Sequence, residues 1–169
     1  MGVCIAIMAI CAQVAIPMPF GVPFTLQTLA ISLCGVMLGA KKGTVATVAY
    51  VLVGFVGLPV FAHFGGGVAV VFGRTGGFIL SFPILAFMAG IGARRGRVWF
   101  ALCLVLGAAA NYMGGLLMFS FVTGNTLWVS FTFVVAPFLA MSALEVALLV
   151  CFGQSFHRLT QPRRKGALK

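Results

Sequence analysis

Apolar positions run through this chain in six long blocks, separated by short gaps that are proline-rich, glycine-rich, polar or basic. The blocks read as membrane-spanning helices over roughly Val3 to Ile16, Leu26 to Ala40, Thr44 to Phe61, Phe78 to Ala93, Val98 to Val122 and Phe131 to Phe156. Several fall short of the ~20 residues a perpendicular span needs, so flanking loop residues are expected to complete them. The first block lacks the basic leader and following soluble domain of a signal peptide, and reads as the first helix of the bundle.

The gaps alternate in character. Of the 11 cationic residues, Lys41 and Lys42 fill one gap, Arg94, Arg95 and Arg97 another, and Arg158, Arg163, Arg164, Lys165 and Lys169 the C-terminal tail, leaving Arg74 elsewhere. Short loops rich in Lys and Arg stay on the cytoplasmic side. This places both termini in the cytoplasm and turns Ile16 to Thr25, Ala62 to Gly77 and Thr123 to Ser130 outward. An even number of spans gives the same answer for the termini. The expected fold is an all-α compact bundle of six transmembrane helices in the plasma membrane, with a membrane domain over residues 1–157 and a basic cytoplasmic tail over 158–169.

Composition supports this. With 62% hydrophobic residues and a mean hydropathy of +1.19, the chain is far more apolar than a soluble domain, whose apolar share is about 45–50%. The net charge of +10 lies in short clusters bordering apolar blocks, which fits the anionic headgroups of membrane lipids. No basic groove or aromatic motif accompanies it, so nucleic acid is not an expected partner. Small residues four apart (Gly35 and Gly39, Gly39 and Gly43, Ala86 and Gly90, Ala110 and Gly114) are expected to let helix backbones approach closely. The five cysteines all lie in apolar blocks without CxxC spacing and read as small core residues.

Enzymatic chemistry has little to work with. The chain holds one carboxylate, Glu145, and two histidines, His63 and His157, expected on opposite faces of the membrane. No HExxH is present, so neither a metal site nor a metal cofactor is expected. The GRTGG at 73–77 is neither a Walker loop nor a dinucleotide fingerprint. Any energy source must then be a partner or a gradient, and the chain is not expected to be an enzyme.

Candidate chemistry therefore rests on polar residues within apolar surroundings, each costly at membrane depth unless it finds a partner or a cavity. Gln27 at the start of the second helix, beside Thr25, either offers its amide to a ligand or caps the helix. Asn111 with Tyr112, and Gln13 in the first helix, read as interhelical hydrogen-bonding groups. If helix resumes near Pro137, at the first-turn position proline favours, Ser142 and Glu145 lie three apart on a face toward the external cavity. Glu145 could then ionise against Arg74, stay protonated as a donor, bind a coupling proton, or simply bond a neighbouring helix. Arg74 is suited to a carboxylate through two parallel hydrogen bonds, or to lipid phosphates. The glycine-dense second external gap, with Gly66, Gly67 and Gly76, is long enough to be a binding loop or lid, or a re-entrant connector.

The strings IPMPFGVPFTLQTLAISLCGVMLGAKKG, AYVLVGFVGLPVF and FGRTGGFILSFPILAFMAGI, from about Ala15 to Arg95, resemble the BioY family, the biotin-binding S components of energy-coupling-factor (ECF) transporters. The resemblance implies a six-helix subunit that captures biotin from outside. It also implies a transmembrane coupling protein and two cytoplasmic ATPases as partners, which would supply the nucleotide site. Carried over by position, the pocket would comprise Thr25, Gln27, Gly65 to Gly67, Thr75 to Phe78 and the start of the sixth helix. There the chain departs from the family pattern, since Ser142 and Glu145 replace an Asp and a Lys, and Arg74 replaces the proline of GPTGG.

For biotin, Gln27, Thr75 and Ser142 would serve the ureido ring, Phe20, Phe24 and Phe78 the apolar ring, and Arg74 the carboxylate. Nanomolar scavenging would need roughly −12 kcal/mol of binding, which argues for water exclusion by a closing loop. The altered sixth helix leaves open a different vitamin-like solute or a stand-alone proton-coupled carrier. Family members dock their coupling subunit through small residues on the first helix, a role that would fall to Ala6, Ala9 and Ala12.

Overall fold

A computed structural model describes residues 1–18 and 21–153. Phe20 and the basic tail from residue 158 lie outside them. The described chain is mostly helical, in the order α1 (Gly2–Gln13), a hairpin of β1 (Ala15–Ile16) and β2 (Phe24–Thr25), α2 (Gln27–Leu38), α3 (Ala40–Phe55), a 3-10 turn (Ala62–Phe64) and α4 (Val68–Val71). It continues with α5 (Gly76–Gly92), α6 (Arg97–Thr123), α7 (Leu127–Val134), α8 (Ala136–Leu148) and a closing π-helical turn (Leu149–Gly153). Two stretches, Arg97–Thr123 and Ala136–Gly153, are long and apolar enough to cross a bilayer unaided. At 12 residues, α1 and α2 each rise only about 18 Å of a ~30 Å hydrocarbon core. Apolar side chains such as Val3, Ile10, Val45, Leu52, Val105 and Leu117 are exposed on the outside of the bundle.

The element ends follow from local chemistry. The prolines of the first gap keep it from continuing α1. The chain instead pairs antiparallel, Ala15 opposite Thr25 and Ile16 opposite Phe24, and Gly21 takes a positive φ of 80° between them. The second gap is shorter than the sequence suggests: α2 and α3 are joined by Gly39 alone, at φ 77°. That conformation costs glycine little and reverses the chain in one residue, so Lys41 and Lys42 stand in the first turn of α3 instead of in a loop. The last apolar block is not one helix. It breaks at Val135, with φ −122° and ψ −55°, and resumes at Ala136 with Pro137 in the first turn, where its missing N–H is tolerated.

Helix α5 is the central member, packed against α2, α3 and α6. Glycines permit the approach. A Cβ on Gly35 would collide with the Ala86 carbonyl, one on Gly43 would stand 2.7 Å from Gly35 Cα, and one on Gly77 would meet the Gly114 carbonyl. Gly90 lies directly on Ala40, which brings the basic first turn of α3 close to the Arg94–Arg97 connection. Asn111, buried on α6, donates to the Phe78 carbonyl at 2.9 Å and to Ser81 Oγ at 3.0 Å, tying α6 to α5 as expected.

The first-helix alanines do not share one outward face. Ala6 is exposed and Ala9 half-buried, whereas Ala12 is fully buried, because a three-residue step rotates about 60° short of a full turn.

Candidate binding cavity

At the hairpin end of the bundle lies a cavity of about 220 Å³, walled by the hairpin, the turn before α4 and several helices. The hairpin tip contributes Gly21 to Thr25, and the first turn of α2 contributes Gln27 and Thr28. The turn before α4 contributes Phe61 to His63, α5 and its approach contribute Thr75, Phe78, Ile79 and Phe82, and α6 with α8 contribute Asn111, Tyr112, Phe138, Ser142 and Glu145.

Two walls are aromatic. Phe24 stacks on Phe138 at 5.7 Å between ring centroids, and Phe78 meets Tyr112 edge-on at 6.2 Å. Phe78 can swing against α6 because residue 115 is glycine, where a Cβ would run into its ring. Behind the turn, buried Tyr50 sits edge-on to Phe61 at 5.6 Å.

The polar lining is held by bonds between distant elements. Thr28 Oγ1 donates to Glu145 Oε1 at 2.9 Å. Tyr112 and Ser142 share a short hydroxyl–hydroxyl bond, and Tyr112 also reaches the Phe138 carbonyl at 3.4 Å. Gln27 Nε2 donates to Tyr50 OH at 2.6 Å, and that hydroxyl donates onward to the Val60 carbonyl at 2.7 Å. Gln27 thus both lines the cavity and braces the neighbouring helix. No lysine or arginine lines the cavity among the described residues, and Glu145 is its one acidic group.

Of the expected site residues, Thr25, Gln27, Thr75, Phe78, Ser142 and Glu145 come together on this cavity. Gly66, Gly67, Arg74 and Gly76 do not line it. Gly66 packs against the Leu58 carbonyl and Gly76 against that of Val71, both too close for any side chain. Gly67 precedes α4 at φ 90° and donates its N–H to the Gly54 carbonyl at 2.7 Å. These glycines shape the loop and leave the lining to others. Arg74 is exposed, with Nη1 3.2 Å from where a Cβ on Gly21 would stand, which sets it beside the hairpin tip at the rim.

Sequence reasoning missed Thr28, Phe61 and His63 as lining residues and read Tyr112 as glue between helices, while Phe138 falls in the start of the sixth helix that the resemblance placed on the pocket. Thr28 was legible in principle, being one residue past Gln27. His63 was not, because its direction depends on a left-handed turn that no motif announces.

A family model for the BioY family matches residues 1–162. The chain belongs to the BioY family. Among BioY relatives, the probable biotin transporter of Pyrococcus horikoshii is 35% identical over 151 residues, covering 89% of both chains. The biotin transporter BioY of Thermotoga maritima is 38% identical over 122 residues, covering 71% of this chain and 72% of its own. In fold, the chain is similar to the crystal structure of the S-component for biotin from an ECF-type ABC transporter, with a TM-score of 0.82 at 24% identity over 92% of this chain and 87% of that one. BioY membership makes this a membrane protein of a transporter family, with no enzymatic role implied.

Proposed function

We propose that this chain is the substrate-capturing S component of an ECF transporter for biotin. The observation that carries the reading is the cavity itself: aromatic walls for a compact apolar ring and, at one end, Glu145, Ser142 and Tyr112 as hydrogen-bonding groups for a ureido head. The relatives' names support biotin over another vitamin-like solute or a stand-alone proton-coupled carrier.

The polarity of the lining sets the ligand's direction. Glu145 Oε1 is engaged by Thr28, and the carboxyl faces a cavity without lysine or arginine. A ligand carboxylate finds no cationic partner there, whereas ureido N–H groups find an acceptor. The biotin tail therefore points to the hairpin rim, where Arg74 stands.

The membrane arrangement in this proposal has six spans, α7 and α8 together forming the last, and both termini cytoplasmic. Its support is the basic end made by Lys41, Lys42 and Arg94 to Arg97, opposite the cavity. The partners are a transmembrane coupling protein, docked on the outer face of α1 around Ala6 and Ala9, and two cytoplasmic ATPases. Saturable binding of labelled biotin to the detergent-purified chain, displaced by unlabelled biotin and not by other vitamins, is the expected result. A folded preparation without such binding removes biotin as the substrate.

A further inference from the structure

Gln13 ends α1, and its amide is spent on backbone groups elsewhere. Nε2 donates to the Phe61 carbonyl at 3.0 Å and to Ala9 of its own helix at 3.2 Å, while Oε1 accepts the Phe64 N–H at 2.9 Å. The stretch these contacts grip contains His63 and Phe64, with φ 55° and 56°. Two successive left-handed residues that are not glycine persist only where the surroundings hold them. The turn is closed by Phe61 N to Gly65 O at 3.0 Å and Gly65 N to Ala62 O at 3.1 Å. Among the described residues, Gln13 supplies the only side-chain hydrogen bonds to the backbone of 61–65.

That turn is part of the cavity wall through Phe61, Ala62 and His63. Just beyond Gln13 the chain enters the hairpin, where Leu26 N bonds the Val14 carbonyl at 3.4 Å and Ala15 pairs with Thr25. One helix end therefore holds both segments that border the cavity mouth.

We propose that Gln13 is a positioning residue: it clamps the strained 61–65 turn in its cavity-closing shape, and the residence time of the bound ligand depends on that clamp. A primary amide suits the task because it donates to a carbonyl and accepts from an N–H at once, which neither a carboxylate nor a hydrocarbon of similar shape does. The ligand rests on the biotin reading above, but the clamp does not.

The test uses the full chain in lipid nanodiscs, as wild type, Gln13→Leu, Phe64→Gly and the double variant. Hydrogen exchange over 61–65 and biotin dissociation are measured on each. Phe64 is exposed and does not line the cavity, and glycine in its place accepts a positive φ without strain. Gln13→Leu should speed exchange of the Phe64 amide, and biotin release, by about tenfold or more. Adding Phe64→Gly should bring release back to within about threefold of wild type, since an unstrained turn needs less holding. A purely structural loss of α1 packing would show no such rescue. Unchanged exchange and release in Gln13→Leu, or no rescue in the double variant, overturns the proposal. If Gln13→Leu does not fold, Gln13→Met, which removes both remote hydrogen bonds while keeping an unbranched, helix-compatible side chain, takes its place with the same outcomes. If wild type binds no biotin, the biotin reading fails, while amide exchange at the turn still decides the clamp.

Discussion

Thr28 donates to Glu145 at 2.9 Å, joining the first turn of α2 to α8 across 117 positions of sequence. The bond fixes one oxygen of the cavity's acidic group and orients the rest of the carboxyl. Glu145→Ala should weaken biotin by about tenfold, since leaving a buried donor without its acceptor costs about 1–3 kcal/mol. Thr28→Val, which leaves the carboxyl present but unoriented, should have a smaller effect in the same direction. Isothermal titration of both variants checks this, and equal affinity in Glu145→Ala and wild type would place the ureido head elsewhere.

Arg74 is exposed at the rim, so its attraction for a ligand carboxylate is screened by water and salt. Arg74→Ala should weaken biotin by about two- to fivefold at low ionic strength and leave biotin methyl ester unchanged. Competition assays with acid and ester, repeated at high salt where the difference should shrink, measure it. Equal losses for the two ligands would remove Arg74 from the tail.

Tyr112 separates ring from hydroxyl. Tyr112→Phe keeps the edge-on contact with Phe78 and removes the bonds to Ser142 and the Phe138 carbonyl. A loss of about 0.5–1.5 kcal/mol in binding is expected. A double-mutant cycle with Ser142→Ala should give a coupling energy of about 0.5 kcal/mol or more, as for residues in direct contact.

The glycines at 77 and 115 should respond differently to alanine. At Gly77 the added carbon meets the Gly114 carbonyl, which is backbone and cannot move aside, so Gly77→Ala should lower thermal stability and yield of folded protein. At Gly115 it meets the Phe78 ring, a side chain that can rotate into the cavity. Gly115→Ala should therefore reduce biotin affinity more than it lowers the melting temperature. Thermal unfolding with and without biotin distinguishes the two effects.

Much of the fold was legible because apolar runs and basic gaps carry it directly, and the restart at Pro137, which turns Ser142 and Glu145 onto the cavity, followed from proline's missing donor. The single-residue joint at Gly39 was not legible. A lysine pair reads equally as loop or as first turn, and only the close packing of Gly43 on Gly35 decides. Thr75 and Phe78 were placed on the cavity by resemblance, but Gly76 of the same motif, and Gly66 and Gly67 earlier in the loop, serve the backbone instead. Gln13 was read as glue between helices. That its partner is a turn 48 and 51 residues away, and not another helix, depends on tertiary placement that periodicity does not encode.

Helix α8 buries only Phe138 among its 13 residues, yet it presents three groups to the cavity. An occupant filling that space would add a further neighbour to the face that carries Phe138, Ser142 and Glu145, so the vitamin would act as a piece of protein interior. In the proposed transporter, loading the cavity would thereby couple to the packing of the last span.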